Sequence, residues 1–158
     1  MNTDVKKLKA VTAVVLGASG RGKLYGDYSL EHPEDLLIVG IAEPVPLRRE
    51  MYGDKYHVPV ENRLATWKEM LARPKFADAV IIATPDHLHY APCMKALELG
   101  YDILLEKPIA QTEEECRKLV DYARQTGKIV GLTHVLRYYP YFLMLKEMVD
   151  SKKIGELV

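Results

Sequence analysis

The chain has 158 residues, the length of one domain that buries a sizeable hydrophobic core. Its 22 basic and 22 acidic residues balance, so the net charge gives no attraction to nucleic acid or to an anionic membrane surface. No run approaches the about 20 apolar residues of a membrane span, and Cys93 and Cys116 form neither a disulfide framework nor a metal pattern. We therefore expect a cytoplasmic protein with two buried free thiols and without a metal, nucleic-acid or membrane partner.

The first predicted elements are a strand, a glycine-rich turn and a helix. The apolar run Val11–Leu16 predicts the strand, Gly17, Gly20 and Gly22 lie in the turn, and the helix covers residues 20–31. This arrangement is typical of a pyrophosphate site, because glycines let backbone N–H groups approach phosphate oxygens at a helix N-terminus.

The turn fits the dinucleotide fingerprint G-x-G-x-x-G incompletely. Counted from Gly17, the fingerprint places glycines at positions 17, 19 and 22, but position 19 is Ser19. The turn by itself therefore leaves two interpretations open, an ordinary β–α connection or a cofactor-binding loop. The candidate cofactor-binding residues of this loop are Gly17, Ser19, Gly20, Arg21 and Gly22.

The rest of the chain alternates between strands and helices. The strands are continuous apolar runs, which favours a parallel sheet covered on both faces. We expect an α/β fold, a doubly wound, mostly parallel six-stranded Rossmann sheet in the order 3-2-1-4-5-6 with helices on both faces. Further strands are predicted at 36–42, 63–65, 79–83, 103–105 and 129–133, and further helices at 46–56, 67–71, 87–99, 112–125 and 140–152.

Local signals predict where several helices begin and end. Asp86 is placed to cap the helix that begins at residue 87. Thr112 and Glu115 have the spacing of a capping box at the next helix, and Gly127 is placed to end it.

Glu43 ends the second predicted strand, 26 residues beyond Gly17 (43 − 17). In a dinucleotide site, an acidic residue at this point accepts hydrogen bonds from the adenosine ribose. A carboxylate there repels a 2′-phosphate, which favours NAD over NADP, although Arg21, Arg48 and Arg49 offer positive charge for that phosphate. A solvated residue at a strand end is the alternative interpretation.

Two later strands end in residues suited to proton transfer. Lys107 lies between Glu106 and Pro108, where the rigid backbone holds its amine in the expected cleft, and Glu106 either orients that amine or ends the strand. His134 follows the last strand, where it lines a substrate cavity or has a structural role. Lys107 and His134 are the candidate catalytic residues.

Four blocks of the sequence carry a family resemblance. They are VVLGASGRG, IAEP followed by RRE, IIATPDHLHYAPCMKALELGYDILLEKPIA, and GLTHVLRYYPYF. Together they resemble the NAD(P)-binding domain of the glucose–fructose oxidoreductase and inositol dehydrogenase family (Gfo/Idh/MocA). The resemblance implies that Thr84, Pro85 and His89 lie along the cofactor. It also implies that Lys107 is catalytic or contacts the substrate, and we add Glu106 and Lys107 to the cofactor-binding candidates.

The resemblance also implies a function. It is hydride transfer between a small-molecule sugar, polyol or related hydroxyl substrate and the nicotinamide of NAD, with NADP possible. A glycoside-cleaving enzyme that uses bound NAD and a non-catalytic dinucleotide-binding module are the alternatives. Because family members carry a second domain, we expect residues 1–158 to be the dinucleotide-binding domain and 154–158 to begin the second domain. We also expect this chain alone to be inactive and the full-length protein to be a homo-oligomer.

Overall fold

The structure, a computed structural model, describes residues 9–156. All five strand pairings are parallel, and the sheet order is β3-β2-β1-β4-β5-β6, which confirms the predicted doubly wound α/β fold. The strands are β1 (Val11–Leu16), β2 (Leu36–Ala42), β3 (Arg63–Leu64), β4 (Ala79–Ile82), β5 (Asp102–Glu106) and β6 (Val130–Thr133). The helices are α1 (Gly20–Glu31), α2 (Pro46–Lys55), α3 (Trp67–Leu71), α4 (Tyr90–Glu98), α5 (Glu113–Thr126) and α6 (Pro140–Asp150).

Both faces of the sheet are covered, as the continuous apolar runs predict. Neighbouring residues of a strand point to opposite faces, so Val14 packs in a cluster with Met70 and Leu97, whereas Val15 packs in a second cluster with Tyr52. Val14 and Val15 have no exposed surface. The central strand is therefore fixed from both sides, and it holds the turn that follows it in a defined place.

Two of the three predicted caps are present. The Thr112 hydroxyl oxygen accepts a hydrogen bond from the Glu115 backbone N–H at 3.2 Å, and Gly127 ends α5 in the left-handed conformation with φ +64°.

The predicted start of α4 at residue 87 is wrong. Residues Asp86–Leu88 form a 3-10 turn, and α4 begins at Tyr90. The turn is closed by the Thr84 hydroxyl, which donates to the Leu88 carbonyl at 3.1 Å, and by the Leu88 N–H, which donates to the Pro85 carbonyl at 2.8 Å. The bond from Leu88 to Pro85 has the i→i+3 spacing of a 3-10 turn. The Asp86 carboxylate makes no cap.

The thiols differ from each other. Cys93 is buried, and burial raises the pKa of its thiol to about 12. Cys116 is only half-buried on α5, so the expectation of two buried thiols is wrong for it. Every helix in the range 9–156 falls short of the length and apolarity needed to cross a membrane. Of the predicted start of a second domain at 154–158, residues 155–156 have no regular secondary structure and 157–158 lie outside the described residues.

Candidate functional site

A cavity of about 490 Å³ lies where β1, β2, β3 and β4 end. Parallel strands end at one edge of a sheet, and ligands of doubly wound folds bind at that edge. The cavity brings together five of the predicted cofactor residues, namely Gly17, Ser19, Glu43, Thr84 and Pro85. Its other lining side chains include Arg48, Trp67, Lys68 and Leu88.

The glycines of the loop have separate physical reasons. Gly17 has φ +98°, and a Cβ on it would lie 2.6 Å from the Ala83 carbonyl oxygen, so only glycine lets the loop rest on the end of β4. A Cβ on Gly22 would lie 2.0 Å from the Gly17 carbonyl oxygen, whereas a Cβ on Gly20 would meet nothing within 4 Å. Gly17 and Gly22 shape the loop, and Gly20 leaves room above the start of α1.

Glu43 anchors this loop to the end of β2. Its Oε2 accepts a hydrogen bond from the Ala18 N–H at 2.8 Å and its Oε1 accepts one from the Val45 N–H at 3.0 Å. Glu43 is only 4% exposed. The Arg49 guanidinium donates a hydrogen bond to the Glu43 carbonyl oxygen at 2.9 Å and so already has a partner within the protein. Each carboxylate oxygen keeps a further lone pair, so ribose binding by Glu43 stays a prediction alongside the anchoring that the structure adds.

Glu106 pairs with residues of α1. Its carboxylate accepts a hydrogen bond from the Tyr25 hydroxyl, and its Oε1 lies 3.6 Å from the Arg21 Nε. Burial and, next to it, this hydrogen bond raise the pKa of Tyr25 to about 12. Within residues 9–156 no hydrogen bond joins Glu106 to Lys107, so Glu106 connects β5 to α1 and does not orient the lysine amine.

The two predicted catalytic residues follow neighbouring strands at the sheet edge. Glu106 and Thr133 are paired in the β5–β6 ladder, and Lys107 and His134 follow them directly. Lys107 and His134 are both exposed, and the Lys107–Pro108 peptide is cis. Neither side chain lines the 490 Å³ cavity, so the ends of β5 and β6 that carry them are separate from the cavity at β1–β4.

His89 has no exposed surface. Its Nδ1 lies 2.6 Å from the Pro108 carbonyl oxygen and its Nε2 lies 2.9 Å from the Thr84 carbonyl oxygen. The ring lies beneath the loops that follow β4 and β5 and contacts both from inside, and its place along the cofactor stays a prediction.

Some site residues were not predicted from the sequence. Tyr25 follows Arg21 by four positions, so both lie on one face of α1, and this spacing was the available signal for the Tyr25–Glu106 pair. Trp67 begins the helix predicted at 67–71, but its sequence position predicts no role in a site. It follows the two-residue strand β3, which is too short to give a pattern of its own.

Comparison with known proteins gives a family match. A family model described as "Oxidoreductase family, NAD-binding Rossmann fold" matches residues 11–134. The matched range begins with β1 and ends at His134, so it contains the glycine loop, the cavity and the β5 segment.

Individual relatives agree with this match. The 2,7-anhydro-N-acetylneuraminate hydratase of Mediterraneibacter gnavus is 28% identical over 151 residues, which cover 96% of this chain and 38% of that protein. The D-glucoside 3-dehydrogenase of Escherichia coli is 29% identical over 126 residues, which cover 78% of this chain and 34% of that protein. The crystal structure of an NAD-binding protein from Listeria innocua superposes with a TM-score of 0.79 at 30% identity, covering 94% of this chain and 41% of that one. This chain thus spans about two fifths of the length of such relatives.

Proposed function

The chain belongs to the oxidoreductase family with an NAD-binding Rossmann fold (Gfo/Idh/MocA), and on that premise we propose that it is the dinucleotide-binding part of a dehydrogenase. The proposed reaction transfers a hydride between a sugar, polyol or related hydroxyl compound and the nicotinamide of NAD. The resemblance predicted from the four sequence blocks is confirmed by the family match.

The proposal depends on the residues that the glycine loop contributes to the lining of the cavity. Gly17 and Ser19 line the same cavity as Glu43 and Thr84, so one solute can contact the ends of three strands. The open space above Gly20, at the N-terminus of α1, fits a pyrophosphate that accepts hydrogen bonds from backbone N–H groups. The residues present therefore fit a dinucleotide whose adenosine half occupies the cavity.

Side chains of the cavity suit an adenosine group. Trp67 and Leu88 offer apolar surface to an adenine ring, and Glu43, which lines the same cavity, is assigned to the ribose hydroxyls in this proposal. Arg48 and Lys68 line the same cavity and bring positive charge to it. We expect NAD to bind more tightly than NADP because Glu43 repels a 2′-phosphate, while the two cations keep NADP as a weaker ligand.

The catalytic end is assigned to the neighbouring ends of β5 and β6. We propose that Lys107 holds the reacting hydroxyl oxygen of the substrate and moves its proton, and that His134 contacts the same substrate. When bound, the nicotinamide supplies the hydride acceptor or donor. Arg21 and Glu106 support the start of α1, where the pyrophosphate is expected.

The single tryptophan gives a direct test of dinucleotide binding. Trp67 is the only tryptophan of the chain and lines the cavity, so its fluorescence reports ligands that enter there. We expect saturable quenching by NAD and by AMP, weaker binding of NADP, and no response to nicotinamide mononucleotide at the same concentrations. Calorimetry with NAD is the independent check. The absence of saturable NAD binding by both methods would refute the proposal.

A redox-neutral reaction with the same cofactor is the second candidate. The observation behind it is the relative named a hydratase, which aligns over 96% of this chain. Product analysis separates the candidates: net NADH formation from a free polyol or sugar supports a dehydrogenase, and substrate conversion without net reduction of NAD supports the hydratase or glycoside-cleaving type.

Two parts of the proposal concern the protein in the cell. We propose that it works in the cytoplasm, where reducing conditions keep Cys93 and Cys116 as free thiols, and that the full-length protein is a homo-oligomer. Cell fractionation tests the first statement, and sedimentation of the full-length protein tests the second.

A further inference from the structure

Beyond the β4–β5 ladder, the two strands continue into loops that both flank the proposed catalytic end. The ladder pairs Ile82 with Leu105 as its last residues. The loop that follows β4 carries Thr84, and the loop that follows β5 carries Lys107 and Pro108. The separation of these two loops sets where the Lys107 amine lies relative to a ligand held against Thr84.

His89 supplies the polar contacts that span these loops. Its Nδ1 and Nε2 lie 2.6 Å and 2.9 Å from the carbonyl oxygens of Pro108 and Thr84. In the described part of the chain, the Nδ1–Pro108 contact is the hydrogen-bond contact that joins residues 83–89 to residues 107–112, and the Nε2–Thr84 contact holds the ring to the first of these loops. A neutral imidazole donates to one carbonyl and a protonated ring donates to both, so in either state the ring is hydrogen-bonded to at least one of the two loops.

We infer that His89 is a positioning residue that sets the placement of the Lys107 loop over the nicotinamide half of the dinucleotide. The ring has no exposed surface, so it acts through the two loops and touches neither cofactor nor substrate. This inference rests on the proposed dinucleotide function. The Pro108 contact assigns this role to one half of the ligand only, because the Lys107 loop does not line the adenosine cavity, whereas the Thr84 contact holds a residue that does.

The assignment to one half of the ligand gives the test. ADP-ribose contains the adenosine and pyrophosphate parts of NAD but lacks nicotinamide, and both ligands are read by Trp67 fluorescence. We expect His89→Gln, which keeps the Thr84 contact and removes the Pro108 contact, to weaken NAD binding by about tenfold, the size of one lost buried hydrogen bond. ADP-ribose binding should change less than about twofold, because differences that small correspond to under 0.5 kcal/mol.

A reciprocal variant keeps the test valid if His89→Gln does not fold. A glutamine amide resembles Nε2 and keeps the contact to Thr84, whereas an asparagine amide resembles Nδ1, so His89→Asn keeps the contact to Pro108. His89→Asn should show a smaller selective loss of NAD affinity than His89→Gln. Ser29→Ala is the matched control, since it removes another buried hydrogen bond, to the Gly26 carbonyl at 2.7 Å.

The outcomes separate this inference from the proposed function. Equal losses for NAD and ADP-ribose, or no loss for either in the folded variants, would overturn the positioning role of His89. Failure of the wild-type chain to bind either ligand would instead refute the proposed function. A selective loss in Ser29→Ala as well would show that general destabilisation, and not His89, produces the effect.

Discussion

Gly22 lies directly against Gly17, so that a Cβ on Gly22 would be 2.0 Å from the Gly17 carbonyl oxygen. The contact is between backbone atoms, which have no flexible side chain to move aside. It joins the first turn of α1 to the loop after β1, and it explains why glycine is required at position 22 whether or not a ligand is bound.

We predict that Gly22→Ala destabilises the fold. Alanine has the higher helix propensity, by about 1 kcal/mol, but the steric overlap forces the backbone to shift at a cost of about 3 kcal/mol. The net result is a lower free energy of unfolding, measured by urea denaturation. A variant as stable as the wild type would contradict this packing argument.

Gly20→Ala should behave in the opposite way. A Cβ at position 20 meets no protein atom within 4 Å, so the free energy of unfolding should stay within about 1 kcal/mol of the wild type. The added methyl group occupies the space assigned to the pyrophosphate, and NAD affinity should fall about tenfold or more through lost phosphate contacts. Fluorescence titration checks it, and unchanged affinity would place the pyrophosphate elsewhere.

Glu43→Gln tests the anchor of the loop. The amide keeps one acceptor oxygen, so one of the Ala18 and Val45 N–H groups faces an NH₂ donor instead of a carboxylate. We expect a loss of about 1.5–3 kcal/mol in the free energy of unfolding, the size of a hydrogen bond to a charged group. Glu31→Gln, at the exposed end of α1, is the control and should leave stability unchanged.

The Tyr25–Glu106 pair predicts an alkaline effect. Because the pKa of Tyr25 is raised from 10.0 to about 12 in the folded chain, the unfolded chain loses this proton first. The contribution is fully present below pH 10 and is lost as the pH rises towards 12. The stability difference between wild type and Tyr25→Phe should therefore shrink across that interval in denaturation curves. The matching difference for the exposed Tyr138→Phe should stay flat.

Lys107→Ala addresses the proposed reaction. In a catalytically active form of the protein, we expect most of the turnover to be lost while NAD affinity is retained, because the amine acts on the substrate hydroxyl. Steady-state rates and NAD titration give the two quantities. Unchanged turnover would remove Lys107 from the mechanism.

Local signals in the sequence account for much of the fold. The bounds of β1, α1 and β2 agree with the prediction, because each is an apolar run or a helix closed by glycine or proline. The predicted start of α4 is wrong because Asp is a common N-cap residue, so Asp86 indicated a helix start. The actual turn depends on the Thr84 hydroxyl and on the Pro85 carbonyl.

The candidate site was partly predictable for a topological reason. Parallel strands end at one edge, so Gly17, Glu43 and Thr84 meet at one cavity although they lie far apart in the sequence. Side-chain partners across the fold were not predictable in the same way. Tyr25 and Glu106 are 81 positions apart, and the burial of His89 depends on the loop after β5, so neither follows from a local pattern.

The hydrogen bond from the Ala18 N–H to Glu43 makes the shape of the glycine loop a by-product of folding. Ordering a flexible loop costs about 1–2 kcal/mol per residue, and here that entropy is lost when β2 docks on β1 and not when a ligand arrives. The loop is thus preorganised, and association with a dinucleotide should not wait for loop closure.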